Sequence, residues 1–234
     1  MKVLLLVACL AAVANCMPMQ RQLDLQYSYT ANETQLEHHH AFSELGVDVS
    51  QPTGLTAFKC LKQSGHKFAI VRAYESIGAP DSHAPATISN AWGADFSHVD
   101  VYLFPCYRCG NPAAQVQSMV SHLSGSRYGM IWLDVEGSWS SSKTDNQNFF
   151  TELAAAARKE KSTGVYTSQY QWSSIMGDWD GGSHLPLWYA HYDNNPSFSD
   201  FEKFGGWDRP NVKQYEGDKF ECGAGVDLNY EPGL

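Results

Sequence analysis

The feature that most constrains this chain is an alternation of two hydrophobic periods. Short continuous apolar runs at residues 45–49, 68–74, 99–104, 130–136, 164–167 and 185–190 are separated by segments at helical spacing. Those segments are 55–63, 84–96, 112–123, 145–161 and 169–176. Two further apolar runs, 212–215 and 225–228, follow with little helix between them. Runs that are apolar throughout belong to strands buried on both faces. Strand and helix in alternation give a parallel α/β sheet. Eight strands in about 190 residues predict one closed, TIM-like α/β barrel as a single domain, its last helices missing. An open doubly wound sheet is the alternative, but no G-x-G-x-x-G follows the first strand.

The residues ahead of this pattern read differently. Lys2 precedes an apolar run, and Ala12-Val13-Ala14 has the small-x-small form of a cleavage site. Residues 1–14 are therefore predicted to be a secretory signal peptide, too short to span a bilayer. Residues 15–43 are polar and without period, as expected of a leader or propeptide. They hold His38-His39-His40, read as a solvated tract, and the sequon Asn32-Glu33-Thr34. Residues 44–234 form the predicted domain. A secreted chain, or one routed to a lysosome-like digestive compartment, favours disulfides. Beyond Cys9 and Cys16 an even set remains: Cys60, Cys106, Cys109 and Cys222. A closing barrel brings its last strand beside its first strand and helix, so Cys60 should meet Cys222, leaving Cys106 to Cys109. No second Cys pair completes a zinc site, so neither metal nor cofactor is expected.

Charge narrows the partners. With 16 Lys+Arg against 25 Asp+Glu the formal net charge is −9, which disfavours nucleic acid and anionic membrane surfaces. A monomer is expected.

In a parallel barrel, functional groups gather at the C-terminal ends of the strands. Asp48, Asp134, Glu136 and Asp227 all sit there. Asp134 and Glu136 are two apart on one strand, so both point the same way with Cα atoms about 6–7 Å apart. Carboxylates that close in an apolar run should drive their pKa values apart, leaving one protonated and one ionised. Glycosidic cleavage needs that pair: an acid for the leaving oxygen and an anion for the oxocarbenium-like charge. Structural hydrogen bonding or a Mg²⁺ or Ca²⁺ cluster would use the same residues, but buried paired acids are costly unless used. Aromatic rings with polar tips suit sugar faces. Tyr166, Trp188 and Tyr192 lie at or just after strand ends and are candidate substrate contacts, whereas Trp132 serves equally well as barrel packing.

These segments come in a familiar order. Gly46-Val-Asp48-Val-Ser50-Gln51, Trp132-Leu-Asp134-Val-Glu136, Gly164-Val-Tyr166-Thr-Ser168, Leu187-Trp188-Tyr189-Ala190, Gln214-Tyr215 and Val226-Asp227-Leu-Asn229 together resemble glycoside hydrolase family 25. The Phe104-Pro-Cys106-x-x-Cys109 and Phe204-Gly-Gly-Trp207 stretches are similar to its secreted nematode and amoeba members. The resemblance covers about residues 46–230. It implies a flattened (β/α)5(β)3 barrel and an N-acetylmuramidase acting on bacterial peptidoglycan. It further implies Glu136 as general acid, Asp134 as its partner, Asp48 and Asp227 as supporting acids, and Gln214 in the substrate groove. It also implies retention through the substrate's acetamido group. A chitinase-like enzyme would need a longer acidic strand motif, and Ile131 and Trp132 stand where it would continue. A non-catalytic glycan-binding barrel would have lost an acid, and none is lost.

Overall fold

The computed structural model describes residues 43–232. The readings on the signal peptide, the polar leader, the triple histidine and the sequon lie outside these residues.

The chain forms β1 (Glu44–Val49), α1 (Leu55–Gln63), β2 (His66–Glu75), β3 (Ala79–Pro80), α2 (Ala84–Gly93) and β4 (His98–Leu103). There follow α3 (Pro112–His122), β5 (Ile131–Asp134), α4 (Lys143–Glu160), β6 (Thr163–Thr167), α5 (Gln169–Met176), β7 (Leu187–Ala190), β8 (Val212–Glu221) and β9 (Ala224–Glu231). The strands close in the ring β1-β2-β4-β5-β6-β7-β8-β9, and β9 returns to β1; β3 is a two-residue strand hairpinned onto β2. This is the expected eight-stranded α/β barrel with five helices.

It departs from an all-parallel barrel at one seam. β9 is antiparallel to both β8 and β1. Consecutive strands joined by a tight turn must run opposite ways, whereas a parallel pair needs a long crossover. Cys222 (φ 56°) and Gly223 (φ 79°) make that turn. The predicted strand 212–215 is extended to Glu221 by a polar arm that carries no apolar signal.

Side chains alternate in and out along each strand. Ile131, Leu133 and Val135 face the helical layer, with Val47, Val49, Val71 and Val101 from neighbouring strands. Trp132 faces inward with Phe68, Ile70, Tyr102, Tyr166, Trp188 and Val212, forming a separate core inside the barrel. Trp188 lies at its centre, with ring centroids 4.4 Å from Tyr166, 5.8 Å from Trp132 and 6.1 Å from Tyr102. Two strand glycines make room for these rings. A Cβ at Gly46 would stand 2.5 Å from Phe68, and one at Gly164 2.3 Å from Trp132.

Side chains cap three of the helices at their starts, α3 through Asn111, which accepts from the Ala114 amide. Ser142 caps α4 by accepting from the Asp145 amide, and Ser168 caps α5 by accepting from that of Gln171. Asp145 in the first turn of α4 and Arg158 and Lys159 in its last complement the helix dipole. Both predicted disulfides are present: Cys60–Cys222, ties α1 to the β8–β9 turn, and Cys106–Cys109 closes a local loop.

Candidate active site

Inward parity brings the four acids to one end of the barrel. Asp134 ends β5, and Val135 still donates to the Tyr166 carbonyl (2.8 Å), so Glu136 keeps the inward register one step beyond the strand. Asp48 lies on β1 directly opposite Asp227 on β9. Because β9 runs against its neighbours, Asp227 reaches this end from the first half of its strand rather than from its last residues.

Asp48 and Asp227 share a donor. The Gln214 amide nitrogen donates to Asp48 Oδ2 (2.8 Å) and to Asp227 Oδ2 (3.2 Å). Asn229 also donates to Asp48 Oδ2 (2.7 Å), and the Asp218 amide donates to Asp227 Oδ1 (2.7 Å). The other end of the Gln214 amide accepts from two phenols, Tyr166 (2.6 Å) and Tyr192 (2.7 Å). That fixes the amide orientation, because only its oxygen can accept from a hydroxyl that donates. Trp188 Nε1 in turn donates to Asn229 Oδ1 (2.8 Å).

Asp134 differs from its neighbours. It is 2% exposed, and its Oδ1 has no hydrogen-bond partner among the described residues. Burial, then the charges of Glu136 and Asp48, hold its carboxyl well above the usual range. Glu136 is raised by burial and by Asp227. Asp48 is pushed up to about 7 by burial and the Asp227 charge, against the lowering effect of Asn229 and Gln214. Burial also raises Asp227. All four carboxyls are thus held above their ordinary range, and the Asp134–Glu136 pair, expected to split into one acid and one anion, is raised together.

The open space around the acids divides into lobes. Glu136 lines a cleft of about 330 Å³ with Tyr107, Arg108 and Trp139. Asp48 and Asp227 line another of about 370 Å³ with Lys219 and Phe220. A separate cavity of about 400 Å³, between Tyr170, Ala190 and Phe201, lies beyond the ends of β6 and β7 and is lined by none of the four acids.

Two predicted substrate contacts are placed otherwise. Trp188 is 1% and Gln214 2% exposed, so neither offers a surface to a sugar. Trp188 is floor, and Gln214 is the clamp beneath the acids. Tyr166, 8% exposed, turns its hydroxyl to Gln214, whereas Tyr192, 57% exposed, does face solvent. Sequence reasoning gave no role to Asn229, although its i+2 spacing from Asp227 was the available signal. Trp139, whose Nε1 donates to the Glu136 carbonyl (3.1 Å), carried no signal because it follows a strand end in a loop. Among the described residues two groups have ligand-type geometry, Glu44–His98–Glu231 and His191–Asp193–Asp200, and the four groove acids form no such group.

A closed barrel carrying clustered, partly protonated carboxylates over an aromatic floor has the architecture of a barrel glycosidase. Comparison with known proteins narrows the class. A family model described as Lys-1, Lysozyme-like protein 1, matches residues 39–215. "Probable GH family 25 lysozyme 2" of Dictyostelium discoideum is 51% identical over 191 residues, covering 80% of this chain and 90% of that protein. "Lysozyme-like protein 5" of Caenorhabditis elegans is 33% identical over 195 residues, covering 80% and 91%. The solved family GH25 lysozyme from Aspergillus fumigatus shares the fold, with TM-score 0.71 at 20% identity over 82% of this chain and 95% of that one. The chain belongs to the lysozyme-like proteins of glycoside hydrolase family 25.

Proposed function

We propose that the protein is an N-acetylmuramidase that hydrolyses the β-1,4 bond between N-acetylmuramic acid and N-acetylglucosamine in bacterial peptidoglycan. The observation that carries this is the Asp134–Glu136 pair: two inward carboxyls, both raised, Glu136 lining the cleft and Asp134 buried behind it with an oxygen unpartnered among the described residues. Glu136, protonated, donates to the glycosidic oxygen as the C–O bond breaks. The substrate's acetamido carbonyl oxygen attacks the anomeric carbon from the opposite face. Asp134 Oδ1, buried and without a partner among the described residues, is the acceptor left for the acetamido N–H and orients that group for attack. Water, deprotonated by Glu136, then opens the cyclic intermediate with net retention. Substrate assistance of this kind suits an acid pair on one strand, which supplies no protein nucleophile across the bond. Asp48 and Asp227 shape the negative potential of the groove. The working compartment is secretory or lysosome-like, and the active form a monomer.

Glu136→Gln tests the assignment. Loss of its proton transfer should slow release of new reducing N-acetylmuramic ends from purified peptidoglycan by about 10²–10⁴-fold, read by mass spectrometry of the products. Parent-like release would remove Glu136 from the reaction. New ends on chitin oligomers but not on peptidoglycan would favour the chitinase-like alternative.

A further inference from the structure

Arg108 is a cation set into an acidic groove without an acid of its own. It lines the Glu136 lobe, beside Ser138 and Trp139. Among the described residues it forms no ion pair, and its side chain is exposed. The other cations near the mouth are neutralised. Lys219, in the Asp48–Asp227 lobe, holds Glu216 at 2.8 Å, and Arg72 holds Asp81 at 3.0 Å and Glu75 at 3.3 Å.

The loop that carries Arg108 is built to stay in place. It is the three-residue turn Tyr107–Cys109, closed by the Cys106–Cys109 disulfide. Gln115, 5% exposed on α3, clamps it from below: its Oε1 accepts from the Cys106 amide (2.9 Å), and its Nε2 donates to the carbonyls of Cys106 (2.9 Å) and Gly110 (2.8 Å). Gly78, at φ 90°, lets the β2–β3 turn lie against the disulfide, since a Cβ there would stand 2.6 Å from Cys109 Sγ. Tyr107 packs on Trp139 (5.4 Å) and Phe149 (5.0 Å), and Trp139 donates to the Glu136 backbone. The backbone that carries Arg108 is thus tethered to the same framework as Glu136.

An unpaired guanidinium on a preorganised loop is a receptor for a planar anion, and a carboxylate matches its fork of donors. We propose that Arg108 is a specificity residue that binds a carboxylate of the muramic side of the substrate. This rests on the muramidase reading. N-acetylmuramic acid differs from N-acetylglucosamine by a lactyl ether ending in a carboxyl. That carboxyl is either free or amide-linked to a peptide that carries carboxylates of its own. Arg108 would supply attraction for such a group at a mouth that otherwise repels it, and would separate peptidoglycan from neutral chitin.

The test measures binding apart from turnover. Soluble glycan strands are titrated calorimetrically into the Glu136→Gln protein, with and without Arg108→Gln. Three probes are used: peptide-bearing strands, strands freed of peptide so that the lactyl carboxylate is bare, and the same strands with carboxyls capped as methylamides. Arg108→Gln should weaken binding of carboxylate-bearing strands about tenfold and leave capped strands unchanged. Arg108→Lys should recover part of the loss. A loss on peptide-free strands assigns the lactyl carboxylate, and a loss confined to peptide-bearing strands assigns the peptide. Equal effects on capped and uncapped strands, no effect on either, or no strand binding by the Glu136→Gln protein would overturn the proposal. Turnover by the parent chain reports separately: binding that depends on Arg108 with no reducing ends released would sink the hydrolysis reading and leave the carboxylate site standing.

Discussion

At the scale of the residue, Gln214 shows how much one amide can organise. It receives two phenol hydroxyls and donates to two carboxylates, and its orientation follows from that set. Replacing it by leucine removes donors that favour ionised Asp48. The carboxyl of Asp48, already pushed up to about 7, should therefore titrate still higher. Carbon-detected NMR of the carboxyl would read the shift, and a fall would contradict the hydrogen-bonding account. Tyr192→Phe removes only one of two donors to the oxygen and should leave that titration near the parent value. The four acids themselves were legible in sequence, because strand parity states which way a side chain points. Parity does not state depth. Trp188 and Gln214 point inward as read, yet Tyr166 and the acids cover them, and only packing decides which inward layer meets solvent.

At the scale of the element, the same sequence signals fared unevenly. Helices α1 and α5 match their predicted bounds because apolar spacing, glycine or serine at the start and a polar stop all agree. The β8–β9 arm was missed beyond residue 215, since Glu216-Gly-Asp-Lys has no strand period. The two disulfides secure different things. Cys60–Cys222 closes 162 residues, for which a chain-entropy model gives about 5 kcal/mol, so Cys60→Ala with Cys222→Ala should lower the unfolding midpoint substantially in a denaturant titration. Cys106–Cys109 closes a separation of 3 and should contribute about 2 kcal/mol or less. Gly164→Ala drives a methyl into Trp132 and towards the Pro186 carbonyl, 3.1 Å away. Overpacking of this sort costs about 1–3 kcal/mol, and near-ultraviolet circular dichroism should register the displaced indole.

At the scale of the whole molecule, buried acids tie stability to pH. Asp48 at about 7 and Glu231 at about 8, both raised chiefly by burial, lie above the unfolded values of about 4. The native state therefore keeps protons that the unfolded chain releases, and stability falls as pH rises from about 4 through 8. Asp193 and Asp200 work in the other sense. Burial acts upward on them, but the buried Lys213, at 2.8 and 2.7 Å, outweighs it and leaves both low. Their contribution is present above the unfolded value and is lost only in stronger acid. Thermal melts should accordingly show a higher midpoint at pH 5 than at pH 8, and Glu231→Gln should narrow that gap. Activity should fall on the alkaline side as Glu136, raised by burial and Asp227, loses its proton, and this limb should lie above that of an ordinary glutamic acid. A pH–rate profile with no alkaline limb would count against Glu136 as the acid.

The β1–β9 ladder joins segments about 180 residues apart, and Asp48 faces Asp227 across it. Pairing so distant in sequence is slow to form, and the Cys60–Cys222 link shortens the loop that must close. The contact that shuts the barrel is thus the contact that assembles half of the acidic groove. A copy whose seam has not formed can hold much of its secondary structure and still be inert. Any opening of this seam separates Asp48 from Asp227, so loss of activity should report it directly.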